Sequence, residues 1–237
     1  IVPINNFKKQ LQMSTPNTPT NNMLELMLAQ YENNNKPKAK TASTEYNPKN
    51  YFNTSLPDGV DSLTKIVRVL PTSDGTSPLV EIYGHQATVE GKKKTFICLK
   101  NTIGADCPFC EAREELLSSG KDTDKEIAKK YSARKMYVVK LIDREDEAHG
   151  PKFWRFNHDY RKTGIFDKIF SVLKTIKKDI TDVKTGIDLA ITIGRDMNNY
   201  AVVQAIIPIG ASVLHDDEKI AEGWVADNKT WQSVYGV

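Results

Sequence analysis

All three cysteines of this 237-residue chain, Cys98, Cys107 and Cys110, fall within a window of 13 residues, and a histidine, His85, precedes them. Twelve residues separate His85 from Cys98, eight separate Cys98 from Cys107, and two separate Cys107 from Cys110. The run Cys107-Pro108-Phe109-Cys110 makes a tight knuckle, in which both sulfurs can face one ion. With His85 and Cys98 on adjoining strands of a hairpin turned near Gly91, one imidazole and three thiolates fill a tetrahedral zinc shell. That shell is closed and leaves the metal nowhere to activate water, so one structural Zn2+ is expected and catalysis is not. Three is also an odd number of cysteines, which suits metal ligation in a reducing cytoplasm better than a disulfide framework. His149, His158 and His215 compete as ligands, but they lie in or near polar loops with no knuckle beside them.

Other chemistries lack a part. A zinc deaminase needs His-x-Glu for proton transfer, whereas here the run is His85-Gln86-Ala87, and the proline lies inside the knuckle rather than before it. A thioredoxin-type redox pair would sit at the start of a helix after a strand, and Cys98 and His85 nearby favour shared ligation. No phosphate-binding glycine loop and no Gly-x-Ser-x-Gly elbow occurs. The carboxylates Asp143, Glu145, Asp146 and Glu147 form one hydrophilic loop and are expected to be solvated, which gives a metal-dependent nuclease little support.

The second chemistry-bearing pattern is basic and aromatic. Lys129 to Lys162 holds ten cations and five acids, a local charge of +5 in a chain whose formal net charge is only +3. Tyr131, Tyr137, Phe153, Trp154, Phe156 and Tyr160 are interleaved with Arg134, Lys135, Lys140, Arg155, Arg161 and Lys162, and Lys92, Lys93 and Lys94 add a basic hairpin tip. Cations that follow phosphates and rings on which bases stack are what sequence-independent single-strand binding requires. About half of the six rings are expected to pack in the core, since strands send alternate residues inward. Tyr131, Tyr137 and Trp154 are the preferred stacking partners.

These residues need a scaffold. Alternating or apolar runs predict strands over 64–71, 79–89, 95–99, 136–142, 152–156, 187–193 and 200–207. Helices are predicted over 110–117, 122–131 and 163–178, the last with Ile165, Phe166, Ile169, Phe170, Leu173 and Ile176 on one face. The fold class is α+β, mainly β, with short strands compatible with an OB-type barrel. Residues 1–50, rich in Asn, Thr, Pro and Lys, read as a flexible N-terminal arm with a short helix at 22–31. Residues 51–237 read as the folded core, including a zinc subdomain at 85–133. The mean hydropathy is −0.47 and no apolar run approaches the length of a membrane span. The start at Ile1 shows no signal pattern, so no export and no membrane partner are expected.

Together, Arg68-Val69-Leu70-Pro71, His85, Cys98, Cys107-Pro108-Phe109-Cys110, the strand running to Asp143, Phe153-Trp154-Arg155-Phe156 and Ile165-Phe166-Asp167-Lys168-Ile169 resemble the helix-destabilising single-stranded DNA-binding proteins of T-even-like phages. The resemblance covers roughly residues 60–205. It implies an OB-fold core with a zinc subdomain held by His85, Cys98, Cys107 and Cys110, and Trp154 and Arg155 in a DNA cleft. It further implies coating of exposed strands in replication, recombination and repair, in the cytoplasm of the infected bacterial host. Cooperative self-association through the N-terminal arm and replication-protein partners would follow. Three features depart from the family, the first being a cysteine gap one residue shorter than in its best-known member. No acidic tail is visible in Trp231–Val237, and the aromatics that the family places after its last core strand are missing between Gln204 and Asp216. A zinc-ribbon interaction module of a viral transcription or virion assembly is the other reading of the same cysteines.

Overall fold

The computed structural model describes residues 47–72 and 74–237; the predicted arm and its helix at 22–31 fall almost wholly outside them. Seven strands form one antiparallel sheet: β1 (Ser62–Val69), β2 (Val80–Val89), β3 (Lys92–Ile97), β4 (Arg134–Asp143), β5 (Lys152–Asn157), β6 (Ile187–Arg195) and β7 (Ala201–Ala211). Among the described residues six α-helices accompany it: α1 (Leu99–Ile103), α2 (Pro108–Ser118), α3 (Asp122–Lys130), α4 (Ile165–Ile176), α5 (Glu218–Val225) and α6 (Trp231–Tyr235). The mainly-β α+β class is as predicted. None of α1, α5 and α6 was anticipated.

The strands run in the order β3-β2-β4-β1-β6-β7, and β5 lies against the other edge of β4. The first half of β4 pairs with β2 and its last residues pair with β1. Among the described residues no ladder joins β3 or β5 to β7. The sheet is therefore open, which corrects the expectation of a closed barrel. Periodicity identifies strands, but closure depends on whether the outermost ones pair. β3 and β7 end the strand order and β5 forms a further margin; β3 carries Lys92, Lys93 and Lys94, and β7 has register shifts against β6 and Pro208 within it.

Because side chains alternate along a strand, the registers assign every residue to one of two faces. Face 1 holds Val67 and Val69 of β1, Tyr137, Val139 and Leu141 of β4, Trp154 and Phe156 of β5, and Leu189, Ile191 and Ile193 of β6. These form the largest core cluster, closed over by Ile169 and Val172 of α4. On face 2, Ile142 packs with Leu70, Leu214 and the α5 residues Ala221 and Trp224. Ile82, Met136, Val138 and Phe153 pack there with Val234 of α6. The sheet is thus a middle layer with helices on both sides.

The β2–β3 hairpin turns on Glu90 and Gly91, with φ of 53° and 74°, and Val89 pairs with Lys92 directly across it. Positive φ at both central residues is the type I′ arrangement that fits the twist of a hairpin and favours Asn-Gly. Glu90 occupies the left-handed region at a steric cost. Glu90→Asn is therefore expected to raise stability by about 0.5 kcal/mol, read as a higher urea midpoint with an unchanged slope.

Candidate metal centre and cationic face

The metal ligands come from three consecutive structural devices. His85 lies in β2, paired with Phe96 of β3. Cys98 follows β3: its N–H donates to the Tyr83 carbonyl at 2.8 Å, and its sulfur caps α1 by accepting from Asn101 N at 3.4 Å. Cys107 is the N-cap of α2, Pro108 opens that helix, and Cys110 sits in its first turn. Proline is preorganised for this position, and the helix N-terminus favours negative charge on nearby sulfurs. The sequence spacing alone brings out this arrangement; the helix predicted over 110–117 starts two residues earlier, at Pro108, so that Cys107 becomes its N-cap.

The four ligand atoms all lie within 4.8 Å of one another. His85 Nε2 is 3.4 Å from Cys107 Sγ and 3.6 Å from Cys110 Sγ, and Cys98 Sγ is 3.5 Å from Cys110 Sγ. All four residues are buried, close enough to hold one metal ion. His85 Nδ1 lies 2.7 Å from the Tyr131 carbonyl. Donation there fixes the tautomer and leaves the Nε2 lone pair for a metal, the usual support for a ligating imidazole. Burial pushes His85 below its ordinary pKa and so keeps it neutral. Burial also raises Cys98, and burial with the adjoining thiols pushes Cys110 up to about 12. A divalent cation is the counter-charge that turns such crowded thiols into thiolates.

The expected nucleic-acid contacts are divided by the sheet. Tyr137 and Trp154 are on face 1, but only 6% and 4% exposed. Tyr137 stacks on Phe166 at 4.4 Å, and Trp154 packs against Phe52 and Phe156. Neither ring is open to a base, because their face is the one that α4 covers. Tyr131 is half-buried, beside Phe109 and with its carbonyl at His85. Lys140 and Arg155 point to face 2. Lys140 donates to the carbonyls of Asp227 and Lys229 and pairs with the Asp227 carboxylate, while Arg155 lies over the Tyr235 ring at 4.9 Å. The C-terminal segment has taken up both. Lys135 pairs with Glu81 at 2.7 Å. Lys92, Lys93, Lys94, Arg134, Arg161 and Lys162 are exposed and form no ion pair among the described residues.

Of the acidic loop, Glu145 is exposed as expected, but the other three carboxylates are paired. Asp143 is buried between Lys65 and Lys152, Asp146 binds Lys152 and His149, and Arg144 pairs with Glu147 at 2.7 Å. The +5 counted along residues 129–162 is reduced instead by acids outside that window, Glu126 with Lys129, Glu81 with Lys135, Asp227 with Lys140 and Asp188 with Arg144.

What lies open beside the metal is a different set. Lys92, Lys94 and Phe96 alternate along β3 and share face 1 with His85. On the same face, Tyr83 pairs with Lys135 in register, and the loop after β5 carries Tyr160, which is 77% exposed. Phe96, 37% exposed, meets Phe109, and Phe109 in turn stacks on the His85 ring at 4.9 Å. The i, i+2, i+4 spacing of Lys92, Lys94 and Phe96 was visible in the sequence. That their face continues past the core was not.

No protein-family model matches this chain, and no curated protein matches it at a significant level.

Proposed function

We propose that this chain is a sequence-independent single-stranded DNA-binding protein of the helix-destabilising phage type, acting by binding and not by catalysis. The observation that carries the reading is the row Lys92, Lys94 and Phe96 beside Tyr83, with the exposed Tyr160, Arg161 and Lys162 nearby in sequence to β5. Unpaired cations there would follow phosphates while rings receive bases. The sheet is read as an OB-type core in opened form, with residues 85–133 as the zinc-bearing insertion. Zinc is the metal assigned. Bond lengths typical of Zn–S and Zn–N place tetrahedral ligand atoms about 3.6–3.8 Å apart, and three of the donor pairs, Cys107–His85, Cys98–Cys110 and Cys110–His85, lie 3.4, 3.5 and 3.6 Å apart within a set spanning 4.8 Å.

Titration of a fluorescent oligo-dT tests the reading. Binding is expected to weaken steeply with salt: four phosphate contacts would cost about fiftyfold between about 50 and about 200 mM. Lys92→Gln with Lys94→Gln is expected to flatten that dependence. Equal affinity for duplex would sink the coating role. A zinc-bearing protein-interaction module is the second reading, favoured by Ile103, Leu117 and Ile127, which stand 51%, 39% and 42% exposed on α1, α2 and α3. It requires the isolated chain to have no appreciable oligonucleotide affinity.

Two of the three tryptophans are poor reporters for such a titration. Trp154 and Trp224 are buried, so the quenching expected from a base-stacked Trp154 has no exposed ring to arise from.

A further inference from the structure

Helix α4 buries Ile169 and Val172 but leaves a second, aromatic stripe beside them. Phe166, Phe170 and Lys174 follow one another at intervals of four and so share one face of the helix. The Phe166 and Phe170 rings are parallel to within 8° with centroids 6.0 Å apart, and the Lys174 ammonium lies 4.8 Å from the Phe170 centroid. Phe166 is held from beneath by Tyr137, stacked at 4.4 Å, while Phe170 remains 46% exposed. The row extends the other way through His158, which meets Phe166 at 6.4 Å and the exposed Tyr160 at 4.6 Å.

The approach to α4 is a rigid loop. Asp159 accepts from Arg161 N at 2.9 Å and from the Thr163 hydroxyl at 2.7 Å. Gly164 lies so close that a Cβ there would come within 2.7 Å of the Asp159 Cβ. Tyr160, Arg161 and Lys162 are thereby presented together at the start of the stripe. From residue 160 to 178 the chain carries six cations and one acid, Asp167, whose Oδ2 is buried. Rings rimmed by unopposed positive charge complement a polyanion with exposed bases, not an apolar protein surface.

We infer that Tyr160, Phe170 and Lys174 form a base-stacking subsite on α4 for an unpaired DNA strand. The inference rests on the single-strand reading above. It adds a subsite contributed by a helix, apart from the β2–β3 hairpin.

The test is oligo-dT binding by the full chain carrying Phe170→Ala, Lys174→Gln or Phe170→Trp. Phe170→Ala is expected to weaken binding about tenfold, with an unchanged melting temperature. Lys174→Gln should lower the slope of log affinity against log salt by about 0.7. Phe170→Trp should retain affinity, and its new fluorescence should be quenched at saturation. A native chain that binds oligo-dT while Phe170→Ala binds equally well and the Phe170→Trp emission does not change would overturn the subsite and leave the single-strand reading standing. A native chain with no affinity for oligo-dT overturns both.

Discussion

Stripping the metal with a strong chelator is expected to unfold residues 85–133 while the pairing of β1, β6 and β7 survives. The reason is how little else holds that segment. Among α1, α2 and α3, the buried side chains are Cys110 and Ala128 alone. The local cluster consists of Cys98, Cys107 and Cys110, with Tyr83, Leu99, Phe109 and Ala133 partly buried around them. Its core is the ligand set itself. Structural zinc binding contributes on the order of 10 kcal/mol in small sites, comparable to the whole stability of a typical domain. Cys107→Ser should act like the chelator. Hydrogen exchange should show rapid labelling from His85 to Ala133 and persistent protection in β6.

Acid should do the same more gradually, and the sign follows from the thiols. Cys98 and Cys110, raised by burial when metal-free, give up protons on binding metal. Affinity must therefore fall as the pH is lowered. Unchanged protease resistance after verified metal removal would contradict a structural role.

Asp188→Ala is the second large effect, expected to cost about 3–5 kcal/mol. Arg68, on face 2 of β1, has no solvent exposure, and its Nε donates to Asp188 Oδ1 at 2.8 Å. Arg144 reaches the same carboxylate with Nε at 3.2 Å and a terminal nitrogen at 3.1 Å, and the Ser212 hydroxyl donates to it at 3.1 Å. Arg68 also donates to the Asp182 and Ser212 carbonyls. One carboxylate therefore compensates two guanidiniums and ties β1, β6 and the segments after β4 and β7 together. Burial opposes the charge on Arg68 and Asp188 offsets it. Without Asp188 that charge stays buried and unpaired. Arg68→Met should cost less, since Asp188 keeps Arg144, and the double variant should be milder than the sum of the singles. Urea midpoints for the three proteins measure this; a neutral Asp188→Ala would show that the network carries no stability. Gly186 leaves the room it needs: a Cβ there would lie 2.7 Å from an Arg68 guanidinium nitrogen and 2.3 Å from the Asp182 carbonyl.

The metal ligands were legible because their chemistry is written in residue type and spacing, which survive without coordinates. The strands were legible for a similar reason, through alternation. Arg68 was visible only as part of a family-like run. In an alternating strand it reads as a solvent-facing residue, and its partners Asp182, Asp188 and Ser212 lie more than a hundred residues away. Helices α5 and α6 escaped notice because they are eight and five residues long, too short for periodicity, although Asp217 and Thr230 are sound N-caps. Trp154 and Tyr137 failed as base partners for a related reason. Alternation groups residues on a face but does not say how far along the strands that face stays covered. Lys140 and Arg155 failed because their partners, Asp227 and Tyr235, come from the far end of the chain.

A protein that lines up many copies on one strand lives at very high local concentration, where exposed backbone invites copies to stick together. Two of the margins of this sheet, β3 and β7, are ill-suited to such adhesion. The lysines on β3 repel an identical neighbour, and on β7 Pro208 withholds a donor in a ladder already broken by bulges. If the proposed coating role holds, copies that meet at these two margins would pack through side chains, and such a contact could be undone when the strand is handed on.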